Sequence, residues 1–186
     1  MKKWQSVLFT SALQLIQVLA KARAAKPKEP KMIASPTVVA RRFDYVRETE
    51  GQNRGTWVSL FQRFTGNRPG DSWCASFVSL VLDIVFRGQS PLRRSASCDV
   101  LLQQCMGAHY IVDTPQVDDL FFYVREWPVI QSQVDAYHVG IVTALSPDVI
   151  GIAGNTSPDG QDTNGSGVFE HALPKNKIIV FARLPR

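Results

Sequence analysis

An α+β domain is predicted for residues 37–186, and two observations predict it. Apolar residues recur at helical spacing through the first half, and short β-rich runs broken by Pro, Gly, Asp and Asn fill the second. Helices first and strands second pack as helices against an antiparallel sheet, not as alternating βαβ units. The 186 residues suffice for one domain with a proper core, and 45% hydrophobic with 20% charged residues is ordinary for a globular protein.

Val38 to Thr49 carries apolar residues at 38, 39, 43 and 46 and is expected to be the first helix; Gly51 and Gly55 break it. Thr56 to Phe64 suits a second, with Val58, Leu60, Phe61 and Phe64 apolar. A third follows the loop Gly66–Gly70, capped by Asp71 or Ser72 and running to about Arg87, with Gly88 as its stop and Pro91 beyond. It is apolar almost all round, which marks a buried helix. Ser95 to Met106 is the fourth. Strands are expected at 120–124, 139–143, 149–153, 168–171 and 178–183.

Residues 1–36 read as a leader and linker. Lys2 and Lys3 precede a mostly apolar run from Trp4 to Ala20, and Ala22-Arg23-Ala24 has the small-x-small form of an export cleavage site. Export to the periplasm or cell wall follows. Gln5, Gln14, Gln17, Lys21 and Arg23 dilute that pattern, so an amphipathic helix in contact with a membrane surface through residues 1–31, or a cytoplasmic phage product, is the alternative. Residues 25–36, with three prolines and three lysines, are the linker.

The net charge of +5 is unevenly placed. Residues 1–42 hold nine Lys or Arg and one acid, whereas residues 43–186 hold twelve against fifteen. The domain is therefore mildly acidic, which argues against nucleic acid as its partner. Three cysteines, 74, 98 and 105, leave at least one thiol free, and no CxxC pair suggests a zinc ribbon. Cys98 and Cys105, seven apart on one helix face, read as buried small residues in preference to metal ligands with His109.

Cys74, in Gly70-Asp71-Ser72-Trp73-Cys74-Ala75, falls in the first turn of the buried helix. Unpaired backbone N–H groups and the positive end of the helix dipole favour a thiolate there, and the same N–H groups can receive an oxyanion. The bland alternative is an inert buried cysteine. His138 precedes the alternating run 139–143. A hairpin around Leu145-Ser146-Pro147-Asp148 pairs Ala144 with Val149, and the same register sets Asn155 opposite His138, where its carbonyl can hold the imidazole N–H. That is nucleophile, base and orienter. Asn155 also sits among turn formers, which is reason enough for an Asn. His171 is expected on the solvent face of its strand, and Asp118 and Asp119 as a turn plus a cap.

The ordered segments Trp73-Cys74-Ala75-x-Phe77, Asp119-Leu120-Phe121-Phe122, His138-Val139-Gly140-Ile141-Val142 and Gly154-Asn155-Thr156 resemble the CHAP domains, the cysteine, histidine-dependent amidohydrolases/peptidases. The flanking Glu50–Gly55 and Gly165–Phe169 resemble segments of phage and bacterial members, and the similarity spans roughly residues 38–184. The resemblance implies a papain-like fold, hydrolysis of an amide bond in bacterial peptidoglycan, Cys74 as nucleophile, His138 as base and Asn155 as third member; a monomer that requires no metal or organic cofactor is expected. Trp73, Asp71 and Gly154, beside these residues, are the expected substrate contacts. Two departures stand out: Val117-Asp118-Asp119 replaces the usual Pro-Gly-Asp, and Ala153 replaces an acidic residue. They favour, as the alternative, a non-catalytic wall-binding or phage structural module.

Overall fold

A computed structural model describes residues 31–128 and 134–186 of the chain. The proposed leader, residues 1–30 of it, lies outside the described residues, as does the middle of the insert between Val124 and Tyr137. Among the described residues no helix is long and apolar enough to cross a membrane.

Four helices, α1 (Pro36–Arg41), α2 (Thr56–Thr65), α3 (Cys74–Val85) and α4 (Cys98–Gly107), precede six strands: β1 (Ile111–Val112), β2 (Leu120–Val124), β3 (Ala136–Ala144), β4 (Ile150–Thr156), β5 (Gly167–Ala172) and β6 (Ile178–Ala182). The strands form one sheet in the order β1-β6-β2-β3-β4-β5, every pair antiparallel. The predicted α+β class holds. β1 was not foreseen, because two residues are too few to show an alternation.

The sheet is covered on both faces. Leu120, Phe122, Val139, Ile141 and Ile152 meet the helices, while Phe121, Tyr123, Val142 and Ala153 pack with Leu173 on the other side. Burial on both sides is why β2 reads as an unbroken apolar run. α3 lies across β3 and β4 with α1 and α2 against it, and α4 rests on β3. Only Leu80, Asp83 and Ile84 of α3 are more than marginally exposed, as its near-continuous apolar sequence required.

The first helix is shorter than its periodicity suggested. It stops at Arg41, and the chain turns through residues 42–45 to run along β5: Val168 N–H donates to Val46 O (3.0 Å) and Glu48 N–H to Ser166 O (2.8 Å). Sheet-edge pairing has overridden local helical pattern, and it carries Glu48 towards α3. The third helix starts later than expected: Trp73, not Asp71 or Ser72, is the N-cap residue, and Asp71 instead accepts the Arg68 N–H (3.0 Å) in an exposed turn.

The two aspartates before β2 do more than close a turn. Asp119 is buried and takes both Nε (3.0 Å) and Nη2 (2.9 Å) of Arg183, tying β2 to the C-terminal segment. Asp118 adopts a left-handed φ of 79°, and its Oδ1 accepts from Ser35 Oγ (2.6 Å) and Thr37 N–H (2.9 Å) at the start of α1. Asp118 thus puts a left-handed residue in the turn before β2 and anchors the start of α1.

Gly140 marks the tightest point of the sheet. A Cβ there meets the Phe121 ring and lies 2.6 Å from Ile152 O, both in the packed interior. Gly140→Ala is therefore expected to destabilise the fold by about 1–3 kcal/mol, read as a lower urea midpoint at unchanged slope.

Candidate functional site

The N-terminus of α3 rests on the sheet where β3 and β4 part. Their pairing, with Ala144 against Ile150, Val142 against Gly151 and Ile141 against Ile152, does not extend to His138 and Asn155. The predicted register is met at 141 and 142 and slips by one at Ala144, through an irregularity next to the loop. Beyond Ile152 the strand turns away: Asn155 has a left-handed φ of 57°, and the pairing of β4 with β5 shifts between Ala153 and Thr156.

Asn155 consequently does not hold His138. Its Oδ1 accepts the Trp73 N–H (3.1 Å), and its Nδ2 donates to Asn53 Oδ1 (2.7 Å) and Gly165 O (3.2 Å). The expected carboxamide–imidazole bond is not made, because the left-handed Asn155 takes β4 out of the flat register. Asn155 instead satisfies the N-cap N–H of a helix that has no side-chain cap of its own.

Trp73 and Gly154 belong to the same joint. The Trp73 indole is fully buried, stacked on Phe61 (centroids 5.5 Å apart), and its Nε1–H donates to Glu48 Oε1 (3.0 Å). Gly154 lies flat beneath it, since a Cβ there comes within 2.5 Å of Trp73 Cζ3. Both were expected to touch substrate; in this structure each is packed against the other, and of the three expected contacts Asp71 alone is exposed.

Two contributors escaped the sequence reading. Glu48 joins Trp73 to Asn53 by also accepting the Asn53 N–H (2.8 Å). Asn53, left-handed at φ 54°, donates from Nδ2 to Asn164 Oδ1 (3.1 Å) and Gly70 O (3.2 Å). An Asn inside a Gly-flanked loop was the available signal for a left-handed position, though nothing local pointed to its partners.

His138 is buried in β3. One extra residue, Tyr137, stands between the pairs Tyr123–His138 and Val124–Ala136, a bulge next to the histidine. The ring stacks on Tyr123 (5.3 Å, 26°), whose neighbours include Lys177 Nζ, 4.6 Å from the ring centroid. Among the described residues neither His138 nitrogen has a hydrogen-bond partner. His171, expected to face solvent, is buried on the face opposite the helices; burial lowers its pKa, and its Nδ1 lies 3.0 Å from Ala172 O.

Cys74 Sγ lies 3.5 Å from Cys98 Sγ. Its pKa is held well below the ordinary thiol value, first by the hydrogen bond from Cys98, then by His138 and the Ala75 N–H, all against the opposing effect of burial. Cys105 is the contrast: buried among apolar groups with no such partners, it is pushed up to about 12. His138 thus acts on the Cys74 thiol without a hydrogen bond to it, and Asn155 lies behind the helix terminus. Among the described residues no three of His, Cys, Asp and Glu converge as metal ligands do. Two surface grooves, one lined by residues including Leu145, Lys177 and Phe181 and the other by residues including Asp83 and Arg94, contain none of these three residues.

No family model, curated protein or solved structure matches the chain.

In the folded protein at pH 7, iodoacetamide is expected to alkylate Cys74 while Cys105 stays unmodified until unfolding. Peptide mass spectrometry across a pH series should place the Cys74 midpoint below about 8.5, the free-thiol value. His138→Ala should move it upwards. A wild-type midpoint above the free-thiol value would remove the activated thiolate.

Proposed function

We propose that the protein is a cysteine amidohydrolase of the CHAP type, with a papain-like arrangement, that cleaves an amide bond in the peptide part of bacterial peptidoglycan. The observation that carries this reading is Cys74: a thiol at the first position of a buried helix, favoured as thiolate, with an otherwise unpartnered imidazole beside it. The family resemblance supplies the substrate class.

In this reading the Cys74 thiolate attacks the amide carbonyl, and the oxyanion is received by N–H groups of the first turn of α3. His138, which has taken up the Cys74 thiol proton, gives it to the departing amine, and the C–N bond breaks to leave a thioester. Water, deprotonated by His138, then releases the acid and restores the thiol. Asn155 acts on position and not on protons: by holding the Trp73 N–H it fixes the residue that precedes the nucleophile. Tyr123 supplies the flat surface that sets the plane of the imidazole. Export to the wall is part of this proposal, since the substrate is there.

A second reading has its own observation. Cys74 is 4% exposed and His138 fully buried, which suits a wall-binding or phage structural module that grips without turnover.

Suspended cell walls separate the two. The purified full chain is expected to clear them, and Cys74→Ala and His138→Ala should each lower the rate on the order of 10³-fold or more at unchanged near-UV circular dichroism. Mass spectrometry of released fragments identifies the bond. Clearing by Cys74→Ala at the wild-type rate defeats the hydrolase reading; wall binding without clearing by the wild type establishes the module.

A further inference from the structure

Hydrolysis uses Cys98 only as a donor to the thiolate, yet its sulfur faces that of Cys74 at 3.5 Å. Each cysteine opens its helix, Cys74 that of α3 and Cys98 that of α4, where Ser97 caps by accepting the Val100 N–H. The two sulfurs therefore meet where two helix N-termini converge, a setting that favours an anion on either. A disulfide requires about 2.05 Å between sulfurs, so closure asks for roughly 1.5 Å of movement shared by two side chains. Cys74 is 4% and Cys98 8% exposed, so both residues are sheltered with slight contact with solvent.

We propose that Cys74 and Cys98 form a redox-modification site for hydroperoxides, in which oxidation at Cys74 is captured by Cys98 as an intramolecular disulfide. In the first step the Cys74 thiolate attacks one oxygen of hydrogen peroxide. The S–O bond forms, the O–O bond breaks, and hydroxide leaves and is protonated by solvent. Sulfur is oxidised by two electrons to a sulfenic acid and the peroxide is reduced. In the second step Cys98 sulfur attacks Cys74 sulfur. The S–S bond forms, the S–O bond breaks, and the departing hydroxide leaves as water with the Cys98 proton. Two thiols and one peroxide give one disulfide and two waters.

The order of events follows from the charges. While Cys74 is an anion it holds the Cys98 proton in place, raising the Cys98 pKa well above its usual value. Conversion of Cys74 to a neutral sulfenic acid removes that anion and frees Cys98 to attack. Cys105, seven residues further along α4 and buried, stays reduced. The disulfide itself depends only on the placement of two sulfurs. Its consequence, reversible loss of wall clearing, rests on the hydrolase reading.

The full chain, reduced with dithiothreitol and desalted, is to be treated with hydrogen peroxide, alkylated under denaturing conditions and digested. The wild type is expected to lose two hydrogens in mass and to yield a Cys74–Cys98 cross-linked peptide with Cys105 alkylated; dithiothreitol should reverse this. In Cys98→Ala and Cys98→Ser the Cys74 peptide should instead gain one and then two oxygens, the latter resistant to dithiothreitol. Cys105→Ala should cross-link as the wild type does. Accumulation of a doubly oxygenated Cys74 in the wild type, pairing of Cys74 with Cys105, or an unoxidised Cys74 overturns the proposal. A cross-link in a protein that never clears walls upholds it and rejects the hydrolase reading alone.

Discussion

One hydrogen bond, from the Trp73 N–H to Oδ1 of Asn155, sets where α3 begins on the sheet. A helix start leaves its first N–H groups without helical partners, and α3 has no capping side chain at Trp73. The sheet supplies the acceptor, from a strand residue 82 positions away. That acceptor is available because Asn155 is left-handed and turns out of the pairing with β5. Gly154 then lets the Trp73 ring lie against the strand, and Glu48 and Asn53 close the polar ring behind it. The sulfur of the next residue is positioned by this joint.

Burial and local partners pull the chemistry of the cysteines in opposite directions. Both Cys74 and Cys105 are sheltered from water, which alone raises a thiol pKa, and Cys105 follows that rule. Cys74 departs from it because the Cys98 thiol, His138 and the Ala75 N–H all favour its anion. Together these neighbours outweigh the loss of solvent. The same closeness that makes Cys98 a donor to the thiolate makes it a trap for the oxidised sulfur, so activation and protection share one geometry.

The fold was legible where a pattern repeats. β2 is observed at the predicted residues, and α2 is longer by one, because each buries a clear run or stripe. Cys98 and Cys105 are buried as their spacing along α4 implied. Legibility failed where pairing with a distant strand replaced a local preference. The 38–49 helix ended at Arg41 when Val46 and Glu48 bonded to β5. His171 faces inward because the alternation of β5 follows the second apolar layer, made by Phe121, Tyr123 and Leu173.

By itself, the sequence determined the α+β order of elements, the buried character of α3, and the presence of a cysteine at its first turn; His138, expected just before a strand, lies inside β3. The first three are properties of periodicity and spacing, which local chemistry enforces. The tertiary structure alone decided what each polar group touches: Asn155 on Trp73 and not on His138, Tyr123 beneath the imidazole, and Cys98 against Cys74. Such contacts depend on a bulge, a left-handed residue and the convergence of two helix starts. None of these leaves a period in the chain.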